Sequence, residues 1–578
     1  MQKRWAQVPN VTVDVAKSLE KELGVSPIIA ELLVRRGITS FDSAKHFFRP
    51  QLSDLHDPFL MQDMDRAVQR IKRAIAEQEK ILVYGDYDVD GTTAVAVTYS
   101  FFSKLHDKLD FYLPDRYKEG YGISKAGVDF AADHGFTLVI ALDCGIKSVN
   151  EIAYARQRGV DFIVCDHHNP GDTLPLADAV LDPKRSDCPY PYKELSGCGI
   201  GFKLIQAYAR SSGMDPAVCY DYLDLVAVSI ASDIVPITGE NRILAHFGLQ
   251  KLNTNPSTGL RALIELAQRG TALNVTDVVF QIGPRINAAG RINHARDAVR
   301  LLLATSLEEA QAFGDNVDRQ NTERKDVDLK ITEEALAMLD GDEILQRRKT
   351  TVLFKHDWHK GVIGIVASRL TEKYYRPTVV LTQSNGRVAG SARSVSDFDL
   401  YEALCECSDL LEQFGGHKFA AGLTMDAANI PLFQQRFEEV VSSRILPEML
   451  QQEIRIDREL ELGDIDRRFF RVLRQFEPFG PGNEAPVFMS RGVTVYGQAY
   501  VVGAKHLKMT VTQGNSAAFD CIGFGLGGEA ERINRGAPVD ICYTIEENVW
   551  RDRKSIQLKL KGVRDTVPAD HVNTFNTQ

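Results

Sequence analysis

The chain has 578 residues, 44% of them hydrophobic and 25% charged, enough for about three or four domains of roughly 100–200 residues each. A net charge of −10 excludes a surface that is basic throughout, but not a local nucleic-acid site, because binding follows local potential. No run of ~18 apolar residues predicts a transmembrane helix. Met1–Trp5 is not followed by an apolar signal core, so a cytoplasmic protein is expected. Nine scattered cysteines without a CxxC pair read as small buried side chains in a reducing compartment, and give no support for zinc or iron–sulfur sites.

In chain order, residues 1–75 read as a helical segment, with Ser26-Pro27 opening one helix and Thr39–Asp42 capping the next. Residues 76–240 alternate apolar runs (Lys80–Gly85, Leu138–Leu142, Phe162–Cys165, Ala179–Leu181) with helical stretches such as Thr92–Lys104 and Ser148–Arg158. That alternation predicts a parallel α/β sheet. Leu223–Ile234 is apolar nearly all round and reads as a buried helix. Residues 241–340 are mainly helical, and Leu307–Leu339 predicts a long exposed connector helix. A second α/β unit follows over 341–455, with strands near Thr351–Phe354 and Thr378–Thr382 and helices near Val362–Tyr374 and Pro431–Ser443. Residues 456–578 change to short alternating strands (Gly492–Tyr496, Lys508–Val511, Asp540–Thr544, Ser555–Lys559). This tail reads as a β-barrel of the OB type.

The chemistry gathers where strands end. Asp86, Asp88 and Asp90 follow Lys80–Gly85, Asp143 follows Leu138–Leu142, and Asp166-His167-His168 follows Phe162–Cys165. Open α/β sheets place ligands at the carboxyl ends of their strands. Asp233, at the end of the buried helix, would reach the same rim. Clustered carboxylates raise one another's pKa unless cations neutralise them. Oxygen ligands with one or two imidazoles favour Mn²⁺ or Mg²⁺ over zinc, and two such ions suit phosphate-ester hydrolysis. Asp-x-Asp-x-Asp-Gly also opens an EF-hand loop, but position twelve there is Glu. Here it is Val97, and the segment follows a strand. A solvated acidic turn is the other plain reading. Gly197–Lys203 lacks Walker spacing and reads as a closely packed helix start.

GDYDVDG, LDCGI, CDHH and ASDIVP, in that order, resemble the motifs of the DHH phosphoesterase family. The resemblance is strongest to its single-strand-specific 5′→3′ DNA exonucleases and covers nearly the whole chain. YLPDRYKEGYG (112–122), GPRINAAGR (283–291), GSARS (390–394), GGHKFAAG (415–422) and PFGPGNEAPVF (478–488) extend it. It implies a DHH domain joined by the long helix to a DHHA1 domain, with the OB-type barrel beyond. It assigns Asp88, Asp90, Asp143, His167 and Asp233 to two metal ions, with Asp86 in the same motif. It gives His168 a phosphate contact or acid–base role, and places Asp143 and Asp166 in the catalytic group with it.

Candidate substrate contacts are basic residues beside glycines, since Arg offers a planar fork and Gly a close backbone approach. Arg285–Arg300 holds four arginines and one acidic residue, Asp297. It reads as a basic patch that includes Arg285 and Arg291. Gly390–Arg393 and Gly415–Lys418 read as glycine turns carrying donors, among them His417. Each alone would be a surface turn. By the resemblance, Arg116, Ser391 and Arg393 would hold a 5′-phosphate. On the barrel, Tyr496, Tyr500, Phe519, Phe524, Tyr543 and Trp550, with the basic run 551–554, would bind single strands by stacking, although such rings also fill barrel cores. The resemblance further implies repair and recombination beside a RecQ-type helicase and a single-strand-binding protein. The competing functions are a DHH phosphodiesterase on short oligonucleotides and a non-catalytic single-strand DNA-binding scaffold.

Overall fold

The computed structural model describes residues 3–9, 11–268, 272–550 and 553–566, with the side chain of Trp550 left aside. The chain divides into two compact units, one of residues 1–50 with 451–578 and the other of residues 51–450.

In the first unit, β1 (Arg4–Gln7) is followed by helices Val13–Leu23, Pro27–Arg35 and Phe41–Phe48. Ser26 and Ser40 cap the second and third with their side-chain oxygens, as the cap signals predict. Leu19, Leu32 and Leu33 from these helices enter one core with Phe476, Phe488 and Tyr543 of the C-terminal part.

The second unit begins with the helix Met64–Ala76 and a five-stranded parallel sheet. Its strands are β2 (Lys80–Gly85), β3 (Leu109–Tyr112), β4 (Phe136–Leu142), β5 (Asp161–Cys165) and β6 (Ala179–Leu181), in the order β3-β2-β4-β5-β6. Ile81 and Val83 of β2 enter one core while Leu82 and Tyr84 enter another. A sheet covered on both faces needs such unbroken apolar runs. β3 escapes the pattern because it is a half-buried edge strand. Connections leave β2 toward β3 on one side and reach β4 on the other, so a switch point opens at the carboxyl ends of β2 and β4.

The helix after β2 spans Val89–Phe102. It starts three residues before the expected Thr92, because the Asp88 side chain caps it by accepting from Gly91 N. Leu223–Ser232 is a helix buried along almost its whole length. Leu307–Asp340 is one long helix, but its expected exposure is wrong on one face. Ala310, Val317, Ile331 and Ala335 are buried there, and the charged positions lie mainly on the other face.

A second five-stranded sheet contains β7 (Thr351–Phe354), β8 (Thr378–Ser384), β9 (Arg387–Arg393), β10 (Gln413–His417) and β11 (Ala420–Met425), in the order β10-β11-β9-β8-β7. The two presumed glycine turns are therefore strands. Gly415 faces Gly422, and Gly422 faces Ser391 across the ladders. Main-chain pairing holds these segments extended although their side chains have low strand propensity.

The first unit resumes with β12 (Glu453–Ile456), which pairs with β1, and β13 (Arg458–Glu459). The barrel strands are β14 (Phe488–Val495), β15 (Tyr500–Val502), β16 (His506–Thr512), β17 (Phe519–Gly523), β18 (Val539–Trp550) and β19 (Arg553–Asp565). The sheet order is β13-β14-β18-β19-β17-β16-β15, and a further β14–β16 pairing brings it round into a ring. Phe519 and Tyr543 fill its core, whereas Tyr496, Tyr500 and Phe524 are exposed. The Trp550 side chain and Arg551-Asp552 lie outside the described residues. No described helix is long and apolar enough to cross a membrane.

Candidate metal centre and phosphate cavity

Four acidic segments meet at the switch point. Asp86 directly follows β2 and is fully buried. Its Oδ1 accepts from Gly122 N at 3.3 Å, while its Oδ2 has no hydrogen-bond partner. Asp90 lies inside the following helix. Its carboxylate accepts from Gly197 N (2.6 Å), Cys198 N (2.8 Å) and Ser229 Oγ (2.7 Å). The amino end of the helix Gly197–Ser211 thus faces a carboxylate, as its dipole favours. That is why Gly197–Lys203 packs as a helix start. Lys203 is buried against Glu240, 2.6 Å away.

Asp143 follows β4 with φ +59°, a left-handed conformation that Asp tolerates better than most residues. His167 Nε2 lies 3.2 Å from Asp143 Oδ1, 3.7 Å from Asp90 Oδ2 and 3.6 Å from Asp233 Oδ2. Asp143 Oδ1 and both ring nitrogens of His167 are buried without hydrogen-bond partners. Ligand atoms of Asp90, His167 and Asp233 lie within 4.8 Å of one another, as do those of Asp143, His167 and His168. Buried polar atoms are normally satisfied, so this convergence of orphaned oxygen and nitrogen atoms fits a cation site.

The electrostatics agree. Burial, then the Asp88 charge, pushes Asp86 well up. Burial and the Asp90, Asp88 and Asp233 carboxylates do the same to Asp143, and burial with Asp90 and Asp88 raises Asp233. Burial pushes the His167 imidazole down, favouring the neutral form that ligates metals.

Asp166 has a different place. Its Oδ1 accepts from the main-chain N–H groups of His167 and His168 and from His168 Nδ1 at 2.7 Å. Its Oδ2 accepts from Ile146 N at 2.9 Å. Burial opposes its charge, but these donors, His168 first, hold it at about 2. The bond to Asp166 likewise outweighs burial at His168 and raises its pKa. His168 is therefore oriented through Nδ1, with Nε2 3.2 Å from the Tyr121 hydroxyl. That hydroxyl also donates to the Asp143 carbonyl at 2.9 Å. Tyr121 is a site residue that sequence reasoning missed as an individual, although it lies in the YLPDRYKEGYG segment.

Tyr121 also lines a cavity of about 840 Å³ with Tyr87, Arg116, Arg291, Lys360, Ser391 and Arg393. The Arg116 guanidinium stands 4.2 Å over the Tyr87 ring. Ser391 and Arg393 share a face of β9, and Arg393 Nη1 donates to Ser391 Oγ at 3.1 Å. Burial, with the Arg116, Arg324 and Arg393 charges, pushes Arg291 down to about 9. Cationic groups gathered this closely suit an anion.

Two expected contacts are not brought in. Arg285 pairs with Asp318 at 2.8 Å and donates to the Gln281 carbonyl; it does not line the cavity. The basic patch is divided because successive arginines of a helix point different ways. His417 is exposed on β10 and lies outside the lining, although the Arg393 and His168 charges, after burial, help lower its pKa.

Family models match the chain in three places. They are the DHH family, N-terminal domain, at residues 80–230, the DHHA1 domain at 348–443, and the RecJ OB domain at 456–562. The chain is 38% identical to the single-stranded-DNA-specific exonuclease RecJ of Bacillus subtilis, covering 96% of this chain and 70% of that protein. With the Escherichia coli protein of the same description it shares 32% identity over 97% of this chain and 99% of the relative. The crystal structure of RecJ with Mn²⁺ from Thermus thermophilus superposes with a TM-score of 0.84 at 29% identity, covering 98% of this chain and 80% of that one. The same protein with Mg²⁺ gives 0.77 at 27% identity, covering 98% and 79%.

Proposed function

The chain belongs to the RecJ family, and from that premise we propose that it is a metal-dependent exonuclease. It degrades single-stranded DNA 5′→3′ to 5′-mononucleotides. The observation that carries this reading is the convergence of unpartnered Asp86, Asp143 and His167 atoms on one rim, beside a cavity lined by arginines.

Asp86, Asp88, Asp90, Asp143, His167 and Asp233 would hold two Mn²⁺ or Mg²⁺ ions. Such ions supply charge stabilisation at a phosphodiester and lower the pKa of bound water. The protein's own groups do the rest. The amino end of the helix Gly197–Ser211 fixes Asp90, and Asp166 fixes His168. His168, whose pKa the bond to Asp166 raises against burial, would hold a proton for a phosphate oxygen or the leaving 3′-oxygen. Arg116, Arg291, Ser391 and Arg393 bind the terminal 5′-phosphate. An anchored end selects the first linkage and leaves internal ones out of reach.

A RecQ-type helicase would unwind the strand, a single-strand-binding protein would present it, and the setting would be cytoplasmic repair and recombination. The barrel argues against a phosphodiesterase confined to short oligonucleotides, because exposed aromatics on such a barrel suit a longer strand. The complete carboxylate set argues against a non-catalytic scaffold.

The test uses single strands labelled at the 5′ or 3′ end, with and without a 5′-phosphate, beside the matching duplex, in Mn²⁺. The 5′ label should leave at once as a mononucleotide, the 3′ label should remain on a shortening strand, and the duplex should resist. Release of the 3′ label first, or internal cuts, would contradict the reading.

A further inference from the structure

One loop, between β3 and the next helix, touches both the metal rim and the wall of the arginine cavity. At the rim, the Tyr121 hydroxyl donates to the Asp143 carbonyl. Tyr121 shares the β3-to-helix loop with Tyr117, whose N–H donates to the Asp115 carboxylate at 2.8 Å. The Tyr117 hydroxyl donates to the Arg291 carbonyl, and the Arg291 side chain donates through Nη1 to the Gly361 carbonyl at 3.0 Å. Gly361 has no room for a side chain: an added Cβ would meet the Tyr117 hydroxyl at 2.4 Å and the Arg291 carbonyl at 2.6 Å. Just beyond, Gly364 lies against the phosphate clamp, and its added Cβ would stand 2.9 Å from Ser391 Oγ and 3.1 Å from Arg393 Nη2.

An exonuclease that anchors a terminal phosphate cuts at whatever linkage lies over the reacting centre. Product length is then set by the separation of anchor and rim. Tyr117, Arg291 and Gly361 tie the loop that reaches the rim through Tyr121 to the cavity wall at Gly361 and Gly364, through hydrogen bonds and a contact too tight for a methyl group, which leaves little freedom to slide. We propose that Tyr117, acting through Arg291 onto Gly361, is the positioning residue that fixes this separation at one nucleotide. This role rests on the exonuclease reading above.

Tyr117→Phe removes the hydroxyl and frees the joint, while Gly361→Ala wedges it open. The experiment is single-turnover cleavage of a 5′-labelled, 5′-phosphorylated single strand in Mn²⁺, with labelled products resolved by length. The wild type should release mononucleotide only. Tyr117→Phe and Gly361→Ala should slow mononucleotide release, since a misplacement of about 1 Å can cost roughly 10²-fold, and so let dinucleotide appear as about a tenth or more of the labelled product. General loss of fold would lower the amount of product without changing its length. Exclusive mononucleotide release by both variants, each with a wild-type melting curve, would overturn the proposal. If Tyr117→Phe does not fold, the length distribution from Gly361→Ala decides alone. A wild-type chain that releases no 5′-mononucleotide overturns the exonuclease reading, and the spacing role with it.

Discussion

Gly197 stands against Asp143 so closely that a Cβ added to it would lie 2.6 Å from the Asp143 Cβ and 2.7 Å from its Oδ1. The same residue donates its N–H to Asp90 at 2.6 Å. One glycine thus brings a helix end to two rim carboxylates at once. Gly197→Ala should displace Asp143 and lower Mn²⁺ affinity by about 10–100-fold, the usual effect of losing support around a ligand set. Titration of free Mn²⁺ by electron paramagnetic resonance, on DNA-free protein, measures this. Unchanged affinity would show that Asp143 does not need that contact.

The barrel aromatics divide by exposure. Tyr496 is 72% exposed, Phe524 59% and Tyr500 51%. Tyr543 is buried, with its hydroxyl 2.8 Å from Ser490 Oγ. Stacking of a base on an exposed ring is worth roughly 1–3 kcal/mol. Replacing Tyr500 and Phe524 by Ala together should therefore weaken binding of a fluorescent oligothymidylate at least about tenfold without moving the melting temperature. Tyr543→Ala should instead destabilise the fold by about 3–5 kcal/mol. Fluorescence anisotropy and thermal melting separate the two outcomes.

Acid should weaken the α/β unit through Glu79. Its carboxylate accepts from Arg70 Nη2 at 2.7 Å and from the Thr137 hydroxyl. Burial opposes its charge, but these bonds outweigh burial and lower its pKa below the ordinary 4.5. A group lowered on folding stabilises the folded state fully above its unfolded pKa, and that contribution is lost as pH falls through its folded value. Glu79→Gln should cost on the order of 2 kcal/mol at neutral pH. The difference from wild type should shrink progressively below about pH 4.5. Melting curves from pH 7 to 3 check this, and a gap that widens in acid would contradict it.

The rim was legible because parallel sheets couple sequence position to place. Asp86, Asp143 and Asp166 each follow an apolar run, and strand ends at a switch point meet in space. The roles within the rim were less legible. Nothing in Asp166-His167-His168 shows that Asp166 spends both oxygens on N–H donors while His167 spends neither nitrogen; only folded geometry separates them. The strands carrying Ser391 and Gly415 looked like turns because their stability comes from ladder pairing across the sheet, a long-range effect that local propensity does not contain. Arg285 looked like Arg291 because both are arginines of one basic segment, and their different partners, Asp318 and Gly361, lie far along the chain. Tyr117 and Tyr121 had no local signal beyond their motif, since their hydroxyls act on main-chain carbonyls of distant residues.

The most direct measurement is on Asp143→Asn, which keeps the size of the side chain and its tolerance of the left-handed backbone while removing the charge. Mn²⁺ bound per chain, single-strand affinity and 5′-mononucleotide release would be measured on the same preparation. The predicted result is loss of bound Mn²⁺ and a fall in release of about 10³-fold or more, as for removal of a group acting on the transition state, with single-strand affinity retained. Wild-type release by a folded Asp143→Asn protein would contradict the account.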